Sequence, residues 1–354
     1  MKRLPVPRAA LSGLRRRWLP CAALMVLAFP GPPRLESPRD AWPEAGRSAF
    51  QRPIDAPYSA DNPYTRAKAE LGRMLFFDPA LSGPGTKSCA SCHNPALSYG
   101  DGLAVEVGVG GRTTGARSPT LLDVAWIDVA GWDGHFADID DVTLSAMGNP
   151  NIMGADVDAV LARLAATPGY RKAFAEAFPG GAIDRDALRA AVGVYVRTIV
   201  SGPAPFDRWV NHDESAISDS AKRGFALFDG RAGCSGCHSG WSFTDGSFHD
   251  IGVAGDDVPG RGALFPTSVK LRHAFKVPTL RDVARRGPYM HDGSYPDLGA
   301  VLDLYDRGGV DRPSLSEQIH PLGLTPGERG DLLAFLDTLT SDPAPFTVPV
   351  VPRP

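Results

Sequence analysis

Two short stretches each place a pair of thiols and an imidazole within five residues: Cys89-Ala-Ser-Cys92-His93 and Cys234-Ser-Gly-Cys237-His238. Two thiols at this spacing can add to the two vinyl groups on one edge of a porphyrin. The residue that follows then aims its imidazole at the iron. Two other chemistries use paired cysteines. A redox dithiol has no need of a histidine after each pair. A Cys₂His₂ zinc site needs its ligands together, and these motifs lie 145 residues apart. The spacing therefore predicts two covalently bound haem c groups, held by Cys89, Cys92, Cys234 and Cys237. His93 and His238 are the expected proximal iron ligands.

The fifth cysteine, Cys21, lies in an apolar run from Trp18 to Phe29. Lys2, Arg3, Arg8, Arg15, Arg16 and Arg17 precede that run without any acid. A basic stretch before a short apolar one reads as a secretory signal over residues 1–30. Twelve residues are short for a bilayer span. An uncleaved N-terminal anchor is the alternative, because Pro30, Pro32 and Pro33 obscure the cleavage site. Cys21 reads as a small apolar residue of the signal before a lipid attachment site. Export to the periplasm agrees with haem attachment, which takes place outside the cytoplasm. Losing the six charges takes the net charge from −3 to −9.

The elements that must position the motifs come from the other 320 or so residues. With 354 residues, 43% hydrophobic and 22% charged, the chain is neither disordered, collagenous nor a coiled coil. It has no basic stripe beyond the signal, so nucleic acid is not an expected partner. Its 39 glycines and 33 prolines predict much ordered loop. Residues 31–62 read as a Pro-rich linker. Helical periodicity marks 65–77, 156–166, 168–178, 184–200, 218–228, 297–305 and 326–340.

The chain also repeats itself. Pro119-Thr-Leu-Leu-Asp-Val-Ala125 parallels Pro278-Thr-Leu-Arg-Asp-Val-Ala284, and Trp132-Asp-Gly134 parallels His291-Asp-Gly293 at the same distance. Tyr195-Val-Arg-Thr-Ile199 parallels Phe335-Leu-Asp-Thr-Leu339. The expected fold is mainly α: two tandem cytochrome c-like domains related by duplication, 63–212 and 213–345, with one covalent haem each. A tail, 346–354, follows.

Together, several stretches resemble the bacterial dihaem cytochrome c peroxidases and the related MauG enzymes. They are Leu71-Gly-Arg-x-Leu-Phe-Phe-Asp78, Asn94-Pro-Ala-Leu97 after the first motif, Trp132-Asp-Gly134, Asn149-Pro150, Phe248-His-Asp-Ile-Gly252 and Gly287-Pro-Tyr-Met-His-Asp-Gly293. The resemblance spans about 63 to 345. It implies that the N-terminal haem reacts with hydrogen peroxide and that the C-terminal haem passes electrons inward. Trp132 matches the tryptophan between the haems; its alternative role is that of a core aromatic. The family also carries a calcium ion, whose ligands cannot be placed on the shortened Arg117-Ser-Pro-Thr120. Tyr289 matches the tyrosine that ligates the C-terminal iron in MauG. Met290, His291 or an open position are the alternatives, and a packed aromatic is the non-ligating one. The peroxidases use a methionine sixteen residues beyond that tyrosine, where this chain has Tyr305. A phenolate would lower the iron potential where a thioether would raise it.

The chain departs from the family opposite the first iron. Val109, Val142 and Ile152 stand where the family has histidine, glutamine and glutamate. Peroxide cleavage needs a group to move a proton between the two oxygens. His135 is a candidate, with a surface or propionate-bonded histidine as the alternative. Asp138, Asp140 and Asp141 read as exposed acids at a helix start. The expected partners are hydrogen peroxide and either a small electron donor (cytochrome c or cupredoxin) or an oxidisable protein substrate; a homodimer is compatible. An apolar distal face also suits an oxygen-handling enzyme or a plain electron carrier or sensor.

Overall fold

The computed structural model describes residues 44–253, 258–342 and 345–353. The signal, Cys21 and the linker up to residue 43 lie outside them. Two helix crossings organise the rest. In the first half, α2 (Arg66–Phe77) starts where the Thr65 hydroxyl accepts from the Lys68 amide. Its Leu71, Leu75 and Phe76 face inward. It crosses α6 (Arg185–Arg197), which Asp184 caps. Gly72 sits at the crossing, where a Cβ would fall 1.9 Å from the Ala191 carbonyl oxygen and 2.8 Å from Tyr195 Cβ. Only glycine permits that approach.

The second half repeats the arrangement. Helix α8 (Asp219–Asp229), capped by Ser218, crosses α10 (Pro326–Asp337), which begins with a Thr325/Glu328 capping box. At Gly224 a Cβ would fall 1.9 Å from the Asp331 carbonyl oxygen and 2.8 Å from Phe335 Cβ. Helices α6 and α10 end three residues earlier than periodicity suggests. In each, a threonine hydroxyl, Thr198 or Thr338, donates at 2.6 Å to the carbonyl three residues back and ends the turn.

In the first half, α3 (Ile139–Gly148), α4 (Val157–Ala166) and α5 (Pro168–Ala177) complete a core around Leu75, Phe76, Leu164, Phe174 and Leu188. The second half adds α7 (Pro205–Val210) and α9 (Leu298–Arg307). Its one small sheet pairs β1 (Phe248–His249) antiparallel to β2 (Phe275–Lys276).

Two expectations are corrected. Asp140 is not exposed: it is buried against the Arg197 guanidinium and accepts from Asn62 Nδ2 at 2.9 Å. The linker is already folded at α1 (Glu44–Ala49), because Phe50 plugs an aromatic cluster of the second half. Its ring lies 5.8, 5.4 and 5.3 Å from Phe206, Phe225 and Phe243. Helix α7 packs there too, through Phe206. The tail is ordered as well. Phe346 stacks 5.1 Å from Phe77, and Arg73 donates to the Thr347 carbonyl.

Candidate haem sites

Each Cys-x-x-Cys-His stretch winds through one tight turn, closed by His93 N–H to Cys89 O and His238 N–H to Cys234 O, both at 2.9 Å. The turn brings both thiols and the imidazole of a motif to one side of the loop. His93 Nδ1 bonds the Tyr99 carbonyl at 3.2 Å, and His238 Nδ1 bonds that of Phe243 at 2.9 Å. Both carbonyls come from residues in the left-handed region, Tyr99 at φ 57° and Phe243 at φ 55°. A proton held on Nδ1 leaves Nε2 with its lone pair for a metal. Burial lowers both histidine pKa values and so favours the neutral, ligating form.

The four cysteines are unpaired. Burial pushes Cys89 and Cys234 up to about 12 and Cys92 and Cys237 up to about 11. A redox dithiol keeps its attacking thiol low, so these environments do not suit one. No group of three or more His, Cys, Asp or Glu among the described residues is placed to hold a metal ion.

Further bonds fix both loops in the same way. Asp123 accepts from the Ser201 amide and hydroxyl at 2.9 and 2.8 Å; Asp282 accepts from those of Ser341 at 2.7 and 2.9 Å. Thr120 donates to Ser98 O and Thr279 to Ser242 O, each at 2.6 Å.

A cavity of about 340 Å³ opens beside Cys234, Cys237 and His238, with Val277, Leu280, Leu302 and Leu336 in its apolar wall. Tyr289, Met290 and His291 line it, as do Tyr305 and Trp132. Arg286 reaches it from deep in the fold with no partner on Nε among the described residues, and burial lowers its pKa to about 10. An apolar cleft with two thiols, a neutral imidazole and a cation in want of an anion fits a haem, whose propionates are the anions.

Tyr289 donates to the Val283 carbonyl at 2.8 Å. Burial raises its pKa, while Arg286 and Arg117 pull it back. His291 is stacked on Phe275 at 3.6 Å. Trp132 comes from the first half yet lines this second cavity. Its Nε1 donates to Arg117 O at 2.8 Å, and its carbonyl accepts from the Lys276 amide at 2.8 Å. Lys276 lines the same cavity, and desolvation lowers its pKa to about 8.

His135 is brought to neither site. It is exposed, bonds Asp133 at 2.6 Å and covers Phe136. Its Asp-Gly-His turn sends the ring outward, so the surface alternative is the one observed. Val109 is buried and donates its amide to the Ile152 carbonyl at 2.9 Å, so these two segments form one wall. Sequence reasoning missed a carboxyl beside it. Glu106 is half-buried in a loop closed by its own amide bonding Ala116 O at 3.0 Å. Burial raises its pKa, Asp101 adds to the effect, and a hydrogen bond from Thr114 opposes it. Its charge is close enough to act on Cys92.

Residues 66–215 match the family model described as di-haem cytochrome c peroxidase. The chain is 48% identical over 312 residues to the methylamine utilization protein MauG of Methylorubrum extorquens, covering 86% of this chain and 87% of that protein. It is 34% identical over 316 residues to the cytochrome-c peroxidase IdrP1 of Denitromonas iodatirespirans, covering 80% and 84%. A crystal structure of a MauG-like protein associated with microbial copper homeostasis superposes with a TM-score of 0.76 at 29% identity, covering 83% of this chain and 95% of that one. The two Cys-x-x-Cys-His loops, their half-buried histidines and these relatives place the chain in the dihaem cytochrome c peroxidase/MauG family of redox enzymes.

Proposed function

We propose that the chain is a periplasmic dihaem oxidoreductase, built by duplication with one covalent haem c in each half, that reduces hydrogen peroxide at the His93 haem. Electrons reach that haem from the His238 haem by way of Trp132. The observation that carries the reading is the asymmetry of the two halves. The second cavity is lined by Tyr289, Met290 and His291, side chains that could each supply a further ligand to a haem iron bound there. The corresponding wall of the first half is built from Val109 and Ile152. A haem bound in the second half would thus have a further protein ligand within reach, which suits electron transfer, while Val109 and Ile152 would give a haem in the first half none and leave it free for a small oxidant.

When bound, the haems supply an iron that binds peroxide and a second that stores an electron. The protein does the rest. The Tyr99 and Phe243 carbonyls hold the imidazoles in the ligating tautomer. Trp132 spans from the first half into the second cavity. Glu106 moves a proton between the peroxide oxygens, the task the family gives to a glutamate where this chain has Ile152. The one-electron source is a small cytochrome c, a cupredoxin or an oxidisable protein. A second reading, an oxygen-handling enzyme or a plain carrier, draws on the apolar residues Val109, Val142 and Ile152.

One equivalent of peroxide added to the purified dihaem protein is expected to change its visible spectrum. Silence in both the reduced and oxidised states would overturn the peroxide reading and leave the second one. Tyr289→Phe is expected to alter the low-spin electron paramagnetic resonance signal of the C-terminal haem. An unchanged signal removes Tyr289 as a ligand and points to Met290 or His291.

A further inference from the structure

Between β1 and β2 the chain loops outward and exposes apolar side chains. Leu264, Phe265 and Val269 are 44%, 44% and 46% exposed. None of these three lines the second cavity, whereas His273, Phe275 and Lys276 of the same segment do. One segment thus presents an apolar tip to solvent and a wall to the cavity.

The tip is braced before anything binds to it. The Arg261 amide donates to the Ala274 carbonyl at 2.8 Å and the His273 amide to the Pro259 carbonyl at 3.0 Å, which closes the base of the loop. The Arg261 guanidinium lies 5.1 Å from the ring centroid of Phe265 and 4.0 Å from that of Phe248. Its Nη1 also donates to the carbonyls of Asp133 and Gly134, at 2.9 and 3.2 Å. A single cation therefore holds the exposed Phe265 ring and ties it to the turn that follows Trp132. Aromatic side chains are enriched at protein interfaces, and one that is already ordered loses little entropy on binding.

Charge indicates what binds. The chain carries a net charge of −3, yet residues 258–276 hold Arg261, Lys270, Arg272, His273 and Lys276 and no acid. Asp256 and Asp257 precede the segment, outside the described residues. Lys270 is paired with Glu317 at 3.1 Å, and Asp133 with His135 at 2.6 Å. Arg272 is exposed and has no acidic partner among the described residues. An apolar tip beside an uncompensated guanidinium is complementary to a protein face on which carboxylates border an apolar centre.

We propose that this tip is the docking site of the electron donor, and that the donor is a small acidic electron-transfer protein. Its carboxylates meet Arg272 and Lys270, and its apolar centre covers Leu264, Phe265 and Val269. The proposal rests on the reading above, in which electrons enter through the second half. Docked there, the reduced donor loses one electron and the second haem iron gains it; no bond forms or breaks.

The test is a nuclear magnetic resonance titration of isotope-labelled, reduced plastocyanin (an acidic cupredoxin) with the dihaem protein, without peroxide. The wild type is expected to shift resonances of the acidic face of the cupredoxin. Binding is expected to weaken as ionic strength rises from about 0.01 to about 0.15 M, where the Debye length falls from about 30 to about 8 Å. Phe265→Ala and Arg272→Glu are each expected to weaken binding about tenfold at low salt, and Arg272→Lys to retain it. These side chains are exposed, so the variants should fold and keep the wild-type visible spectrum. Wild-type affinity in both Phe265→Ala and Arg272→Glu overturns the docking site. Tighter binding of a basic cytochrome c than of plastocyanin overturns the acidic partner. A wild-type dimer that Phe265→Ala dissociates, read by sedimentation, gives the tip to a second copy of this chain and overturns the proposal. A wild type inert to peroxide that still binds plastocyanin through this tip overturns the peroxide reading and leaves the docking site standing.

Discussion

Alanine at Gly224 is expected to cost about 3 kcal/mol of stability, the upper end of what overpacking a core costs. The new Cβ would lie 1.9 Å from a backbone oxygen of α10 and 2.5 Å from its carbon. No rotamer change relieves a contact with backbone, so the two helices must move apart. Their separation opens the contacts of Phe225 and Phe228 with Phe335, whose ring centroids lie 5.3 and 4.9 Å apart. Each such aromatic pair contributes about 0.5–1.5 kcal/mol beyond its buried area. Alanine's better helix propensity returns only about 1 kcal/mol. Gly72→Ala is expected to cost the same in the first half, since Ala191 stands at the same 1.9 Å. Gly330→Ala is the control. It lies exposed in α10 with nothing within 4 Å of the added carbon, and it should gain about 1 kcal/mol. Urea unfolding followed by far-ultraviolet circular dichroism reads all three. An unchanged midpoint for Gly224→Ala would mean that the helices do not cross this closely.

Glutamine at Glu106 is expected to slow the reaction with peroxide by about 10²–10⁴, the usual worth of general acid–base help. The amide keeps the shape and the Thr114 bond but cannot carry the proton. The wild-type carboxyl titrates above the ordinary glutamate range because burial and Asp101 disfavour its charge. Asp101 is the charge that acts on it and Thr114 donates it a hydrogen bond, while Cys92 is uncharged when bonded to haem. Since the group must be ionised to accept a proton, the wild-type rate should rise with pH through that raised pKa, and the Glu106→Gln variant should lose this limb. Adding Ile152→Glu to Glu106→Gln should recover part of the rate, because Ile152 lies on the same wall. Stopped-flow absorbance with peroxide over a range of pH distinguishes these outcomes. Equal rates for the wild type and Glu106→Gln would place the proton carrier elsewhere.

Much of the site was legible because thioether attachment requires contiguous residues. Cys89 to His93 and Cys234 to His238 declare themselves without any tertiary information. The seven periodic helices were legible for a similar reason: a stripe of apolar residues is a local pattern. What stayed hidden depends on distant parts of the chain meeting. Phe50 belongs to the second core only because the chain returns there after α1. Asp140 read as a solvated cap residue until α6 brought Arg197 onto it. Glu106 gains its raised pKa from burial in a loop closure. His135 went the other way. Its place after Trp-Asp-Gly suggested chemistry, and a glycine turn aimed it at solvent.

The two ends of the described chain change what its division into two halves means. The first described helix and Phe50 complete the core of the second half. The last residues, Phe346 and Thr347, lie on α2 of the first half, and Pro352 lies against Gly169 in the first turn of α5. Each half therefore borrows a terminus from the other, like two hands with interlaced fingers. Severing the chain between α6 and α7 would not release two miniature cytochromes, because each fragment would keep the other's missing piece. The pieces should instead recognise one another, and co-expressed fragments should reassemble where either alone aggregates.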